Sequence, residues 1–272
     1  MATTLADILD VSEKLWPRSG AEGWDAVGLI SGNPAAEVAS IQLAVDAVLD
    51  TVDEAIATGT GLLFTHHPLL LRGVTTVAED RYKGAVLARL IRGNCALLAA
   101  HTNADVVESG TSATLAERLA LSDVRPLVAG ETAERGIGRV GMLPTPTTLG
   151  RLARQLADIL PPTAGGIRGA GQFDAPVSTV ALCAGAGDAF LGSPEVLAAD
   201  VYITSDLRHH PASEFRENAR LGAGPALLDV SHWASEWLWL DTAAEQLRVA
   251  LPGVTVTVSE LRTDPWDFLV VQ

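Results

Sequence analysis

The chain has 272 residues, enough for one large or two small domains with well-buried cores, and carries 33 acidic against 19 basic side chains for a formal net charge of −14. Such a surface repels phosphate backbones, and no Lys/Arg run or basic-aromatic stripe offsets it, so nucleic acid is an unsuitable partner. Hydrophobic residues make up 48% and aromatics only 5%, an aliphatic composition that fits an ordered α/β protein and argues against disorder.

Residues 1–16 read as an amphipathic helix carrying Asp7, Asp10, Glu13 and Lys14. They lack the basic and apolar regions of a signal peptide. No apolar run reaches the roughly 18 residues of a membrane span, so cytoplasm is the expected compartment. A strand is predicted over 41–45, a helix over 51–58, and a second strand over 61–65 that ends at His66-His67-Pro68. Residues 82–92 are helical, with Val86, Leu87, Leu90 and Ile91 on one face. A buried strand over 95–100 stops at His101, and Ser109 opens another helix. The strand predicted over 137–143 is broken by Pro144-Thr145-Pro146, after which Thr147 or Thr148 caps a helix over 149–160. Residues 161–176 read as a loop. Further strands fall at 180–183, 201–204, 226–230 and 254–258, with a strong final helix over 232–247.

This alternation is the pattern of βα units with a largely parallel or mixed sheet. A break near residue 125 and a return near 227 suggest two α/β lobes. The first, 1–124 together with 228–272, is the expected metal-binding lobe, and 125–227 form the second.

Cys95 and Cys183 lie in apolar stretches without a CxxC partner, so buried thiols and a reducing compartment are expected. The six histidines are His66, His67, His101, His209, His210 and His232. Short aliphatic runs precede His66, His101 and Ser231-His232. In open α/β sheets, ligands bind beyond the carboxyl ends of the strands. His101 and Asp105 are four residues apart, as are His232 and Glu236 at the start of the final helix, where one helical face carries both. A single histidine at a strand end is more often a hydrogen-bonded structural residue than a ligand. The joint pattern of His-His, His-x3-Asp and His-x3-Glu points instead to metal. Imidazole and carboxylate suit Zn, Fe, Mn or Ni, and several carboxylates permit a two-metal site.

Four segments, Thr-His-His-Pro-Leu-Leu (65–70), His-Thr-Asn-Ala-Asp (101–105), Thr-Ser-Asp-Leu-Arg-His-His (204–210) and Ser-His-Trp-Ala-Ser-Glu (231–236), resemble the NIF-three-like dinuclear metal-centre proteins. Members of that family are often catalogued as GTP cyclohydrolase 1 type 2 homologues. Glu-Gly-Trp-Asp-Ala-Val-Gly-Leu (22–29) is similar to the family's N-terminal motif, and the motifs follow the family's order. The resemblance implies that His66, His67, Asp105, His232 and Glu236 ligate two divalent ions, with Glu236 and Asp105 as the bridging candidates. It implies that His101 lines the same cavity as an outer support or an acid/base, and that His209 and His210 lie near the opening. It further implies a NIF-three-like fold of two α/β lobes with mixed sheets flanked by helices, in a toroidal homohexamer built as a trimer of dimers. Four positions depart from the family pattern: Ala26 for Asn, Ser205 and Ser231 for Gly, and Trp233 for Tyr. Glycine at 205 and 231 would tolerate positive φ.

Beside these residues, Asp25 reads either as a support for a metal ligand or as a turn cap. Gly-Ala-Gly-Asp (185–188) reads as a turn more readily than as a phosphate cradle. Arg208 reads as a clamp for an anion or as a surface ion pair. Trp233, Trp237 and Trp239 read as packing residues. Neither a Gly-x-Ser-x-Gly elbow nor a P-loop is present. The expected function is a metal-dependent hydrolase acting on an unidentified small molecule such as a phosphoester, a cyclic amide or a nucleotide base. His101 or one of His209 and His210 would move the proton. A non-catalytic metal-binding, metal-chaperoning or scaffold protein fits the same ligands.

Overall fold

The computed structural model describes residues 2–271 except 131, 133 and 223, so Met1 of the expected first helix lies outside the described residues. Two compact units divide the chain, Met1–Val107 with Leu240–Thr263, and Glu108–Trp239 with Asp264–Gln272.

Unit 1 begins with α1 (Leu5–Leu15), whose start is fixed by a capping box in which Thr4 and Asp7 bond each other's backbone N–H. There follow β1 (Gly28–Ser31), β2 (Ser40–Ala44), α2 (Leu49–Ala57), β3 (Leu62–Thr65), α3 (Tyr82–Arg92), β4 (Ala96–Ala99) and the single turn α4 (Thr102–Asp105). The strands lie in the order β1-β4-β3-β2, with β2, β3 and β4 parallel and β1 antiparallel to β4. Every residue of β3 and β4 is buried, as a parallel sheet covered on both faces requires. One face packs Leu63 and Leu97 against Val52 and Ala55 of α2 and Val86 and Leu90 of α3. On the other, Phe64 meets Trp16, just past α1, with ring centroids 5.1 Å apart.

Unit 2 contains α5 (Thr111–Arg118), β5 (Ser122–Arg125), β6 (Val128–Ala129), β7 (Gly136–Ile137), β8 (Arg139–Thr148), α6 (Leu149–Ile159), β9 (Arg168–Ala170), β10 (Pro176–Ala186), α7 (Pro194–Leu197), β11 (Val201–Ser205), α8 (His209–Arg220) and β12 (Ala226–Asp229). Six of its strands form a sheet ordered β5-β8-β10-β11-β12-β9, in which β10, β11 and β12 are parallel and the others antiparallel to their neighbours. The remaining two, β6 and β7, pair with each other. The long helix α9 (His232–Ala250) starts in unit 2 and ends in unit 1, where β13 (Thr255–Val258) joins the first sheet parallel to β2.

The architecture is mixed α/β, with mixed sheets flanked by helices. Its units part at other positions than 124/125 and 227/228. Ser122 and Arg125 of β5 pair with Met142 and Val140 of β8, which puts residues 108–125 with the second sheet. The first turns of α9, carrying His232 and Glu236, also belong to unit 2. The strand expected to stop at Pro144 instead runs to Thr148, because β8 beyond Met142 is paired on one side only, by β10, and an open edge tolerates proline. The loop expected over 161–176 contains the short edge strand β9. No helix among the described residues is long and apolar enough to cross a membrane.

Candidate metal centre

Three adjacent parallel strands of unit 1 end at the same edge of its sheet, and each delivers a polar side chain just past its end. The ladder continues beyond the strands: His66 N donates to Ala44 O at 3.1 Å, His67 N to Val45 O at 2.8 Å, and Ala100 N to Thr65 O at 3.0 Å. Asp46, His66, His67 and His101 are therefore held on rigid backbone. His66, His67 and His101 each offer a ring nitrogen, and these atoms all lie within 4.8 Å of one another.

The opposite nitrogen of each ring is engaged. His66 Nδ1 donates to the Ala100 carbonyl at 2.9 Å. His67 Nδ1 donates to Asp46 Oδ1 at 2.7 Å, and His101 Nδ1 to Asp25 Oδ1 at 2.9 Å. Carbonyl and carboxylate oxygens only accept, so the proton stays on Nδ1 and the coordinating lone pair on Nε2. Asp25, whose side chain is fully buried, is fixed in turn by Thr102 N at 3.0 Å and the Thr102 hydroxyl. Asp25 thereby orients the His101 ring and also accepts from the neighbouring Ala26 N at 2.7 Å. Asp105 ends α4 with Oδ1 3.7 Å from His66 Nε2. The exposed Trp24 presents an edge to the His101 ring.

Unit 2 repeats the plan. Gly185, Asp206 and His232 lie at or just past the ends of its parallel strands β10, β11 and β12, with Val230 N donating to Thr204 O at 2.9 Å to extend the ladder. His232 and Glu236 are one turn apart on α9, with Nε2 3.0 Å from Glu236 Oε1. His232 Nδ1 donates to Asp206 Oδ2 at 2.7 Å. Gly185, at φ +72°, is the residue that makes room for this pair. A Cβ there would meet Glu236 Oε1 at 2.4 Å and His232 Nε2 at 3.3 Å. Ser235 Oγ accepts from Gly185 N and donates to the His232 carbonyl, tying strand exit to helix.

Burial opposes charge on His232, but Glu236 and Asp206 outweigh it and hold the imidazole well above the ordinary histidine range. A cation belongs between these groups, and a proton on Nε2 supplies it in the metal-free chain. His101 goes the other way. Burial and the neighbouring His66 push it below the usual value against the pull of Asp25 and Asp105, so it is neutral at pH 7. Burial would raise Asp25, yet the bonds from Thr102 and His101 prevail and keep it ionised. Imidazoles, carboxylates and no thiolate form a donor set that fits a borderline divalent cation.

His209 and His210 open α8, both exposed, with their rings in a T-shaped contact at 5.2 Å. Arg208 forms an exposed ion pair with Asp188 at 3.0 Å, the plainer of its two readings. Gly185 and Ala186 close β10, and Gly187 leads directly into a 3₁₀ segment that opens at Asp188. Asp46, Asp206 and Gly185 have site roles not assigned from sequence. Asp46 follows an aliphatic strand exactly one residue past its predicted end, the same signal that marked the histidines.

The Duf34/NIF3 (NGG1p interacting factor 3) model matches residues 3–265. The chain belongs to this family. A GTP cyclohydrolase 1 type 2 homolog of Streptomyces coelicolor is 46% identical over 269 residues, covering 96% of this chain and 93% of that protein. The homolog of Mycobacterium tuberculosis is 34% identical, covering 98% and 97%. That alignment runs over 377 positions against 272 residues here, so the mycobacterial protein carries inserted sequence. Among solved structures, a Staphylococcus aureus hypothetical protein matches with a TM-score of 0.89 at 24% identity, covering 99% of this chain and all of that one. A Bacillus cereus protein related to NIF3 matches at 0.87 and 21%, with the same coverage. These likenesses show the NIF3 fold.

Replacing Gly185 with Ala is expected to weaken metal binding about tenfold or more, the scale of losing a group that positions a ligand. Chelator competition measures it. A raised His232 pKa gives the metal-free chain stability that is full below the unfolded-state histidine pKa and is lost as pH rises through the folded value. Metal must displace that proton, so apparent affinity rises with pH by up to about tenfold per unit until the folded pKa is passed. Competition titrations across pH 6–9 test the slope, and a flat profile contradicts it.

Proposed function

We propose that the chain is a metal-dependent hydrolase in which His66, His67, Asp105, His232 and Glu236 hold two divalent cations of the Zn, Fe, Mn or Ni type. The observation that carries this reading is the common setting of His66, His67 and His232, each held at Nδ1 by an acceptor oxygen, which makes Nε2 the ligand atom. Bound cations supply Lewis acidity and bring a water's pKa toward neutrality. The protein's share is to hold the donor rings in fixed orientations. Asp46, Asp25 and Asp206 orient three of the rings, and the Ala100 carbonyl orients the fourth. Glu236 is 4% exposed and Asp105 is held beside His66, which suits both carboxylates to shared coordination.

His101, neutral and turned by Asp25, is the base that takes the proton. The exposed His209 and His210 are placed to exchange it with solvent, and His210 is the second acid/base candidate. The substrate class is a phosphoester, a cyclic amide or a nucleotide base. The assembly proposed with this reading is the homohexamer, a trimer of dimers that the family resemblance implies. Sedimentation velocity should then give six times 28.4 kDa, and a monomer would refute the ring.

Glu236→Gln should lower bound metal per subunit and abolish turnover of whichever of the three substrate classes the wild type hydrolyses. His101→Ala should keep its metal and lose turnover. Unchanged metal in the Glu236 variant sinks the ligand assignment, and metal loss in the His101 variant makes that residue a ligand instead of a base. A fully loaded wild type inert toward all three classes would assign the metal-carrying role.

A further inference from the structure

Unit 2 holds a second feature, of whose lining only His209 figures in the reading above. A cleft of about 410 Å³ opens between α8, β9 and β12, a volume in the range of small-ligand sites. None of its lining residues is a proposed metal ligand. His209, Ser213 and Arg216 reach it from one face of α8, at helical spacing, and Arg168 reaches it from β9.

The lining sets Arg168 and Arg216 against Asp229 and Glu217, so what faces the cleft depends on how each carboxylate is engaged. Asp229 Oδ2 accepts from Arg168 at 2.9 Å and from Leu207 N at 3.1 Å. Glu217 is paired with Arg220 at 3.0 Å, outside the lining. Arg216 has no ion-pair partner among the described residues, and Arg168 spends one guanidinium nitrogen on Asp229 while its remaining N–H groups stay available. A chain of net charge −14 thus keeps Arg216 beside Arg168, whose other N–H groups are open, with His209 and Ser213 on the same helix face. Guanidinium forks match phosphoryl oxygens. The rest of the lining is small and aliphatic, with Ala170, Ala212 and Leu227, and offers no Phe, Tyr or Trp for a base to stack on.

We propose that this cleft binds a small phosphate monoester, with Arg216 and Arg168 gripping the phosphoryl group and the aliphatic wall taking a compact organic body. The proposal stands on this cleft alone and does not depend on hydrolysis at the metal centre. Phenylphosphonate, which has no ester bond to hydrolyse, is the probe, titrated calorimetrically into the metal-loaded protein at fixed ionic strength. Arg216→Ala and Arg168→Gln should each weaken binding about tenfold or more, as expected for losing a charge-assisted hydrogen bond. Arg216→Glu should abolish it. Arg92→Ala, on the surface of unit 1, and Glu236→Gln should bind as the wild type does. Failure of the wild type to bind at millimolar concentration overturns the proposal, as does wild-type affinity in both arginine-to-neutral variants. Binding lost in Glu236→Gln but kept in Arg216→Ala overturns it too, since the probe would then be held at the metal centre.

Discussion

An imidazole gives a metal one nitrogen, and it does so well only when the other carries the proton and the ring cannot turn. Four histidines of this chain meet that condition with four different partners: the Ala100 carbonyl, Asp46, Asp25 and Asp206. Much of the surrounding structure follows from it. Each partner must itself be held, and two of the three carboxylates are held by hydroxyls, Thr102 on Asp25 and Thr263 on Asp46. The histidines must also be delivered on backbone that does not move. Parallel strand ends extended by further ladder bonds do this in both units. The expense is local, for Asp206 adopts φ +58°, a conformation rare for residues other than glycine.

The departures from the family pattern acquire physical content in the same place. Neither Ser205 nor Ser231 has positive φ, so neither needs the freedom of the glycine it replaces. Ser231 uses its hydroxyl instead. Its Oγ accepts from Ala234 N at 3.2 Å, capping the start of α9, and donates to Asp264 at 2.6 Å. The turn that presents His232 is thereby stiffened by the substitution.

The His66-His67 pair, His101 and His232 were legible in the sequence because each group follows an aliphatic run, and strand ends are where α/β sheets place chemistry. Asp25 was visible but ambiguous, since its partner His101 is 76 residues away and only folding joins them. Asp46 and Asp206 lie 21 and 26 residues from their histidines and carry no local motif that pairs them. Gly185 could not be read at all, because its role is the space it leaves beside Glu236. The prolines of β8 misled for a related reason. Whether proline ends a strand depends on which side of it is paired, and that is a property of the sheet. The division of the chain shifted likewise, since β5 declares its unit only through its pairing with β8.

The two cysteines are buried, Cys95 in unit 1 and Cys183 in unit 2, and burial pushes the Cys95 thiol up to about 11. A protonated, enclosed thiol neither competes for the metal nor reacts with alkylating reagents until its surroundings open. Each unit thus contains one internal reporter of its own opening. Modification at residue 95 and at residue 183 dates the loosening of the two halves separately, in the unaltered chain and without an attached label.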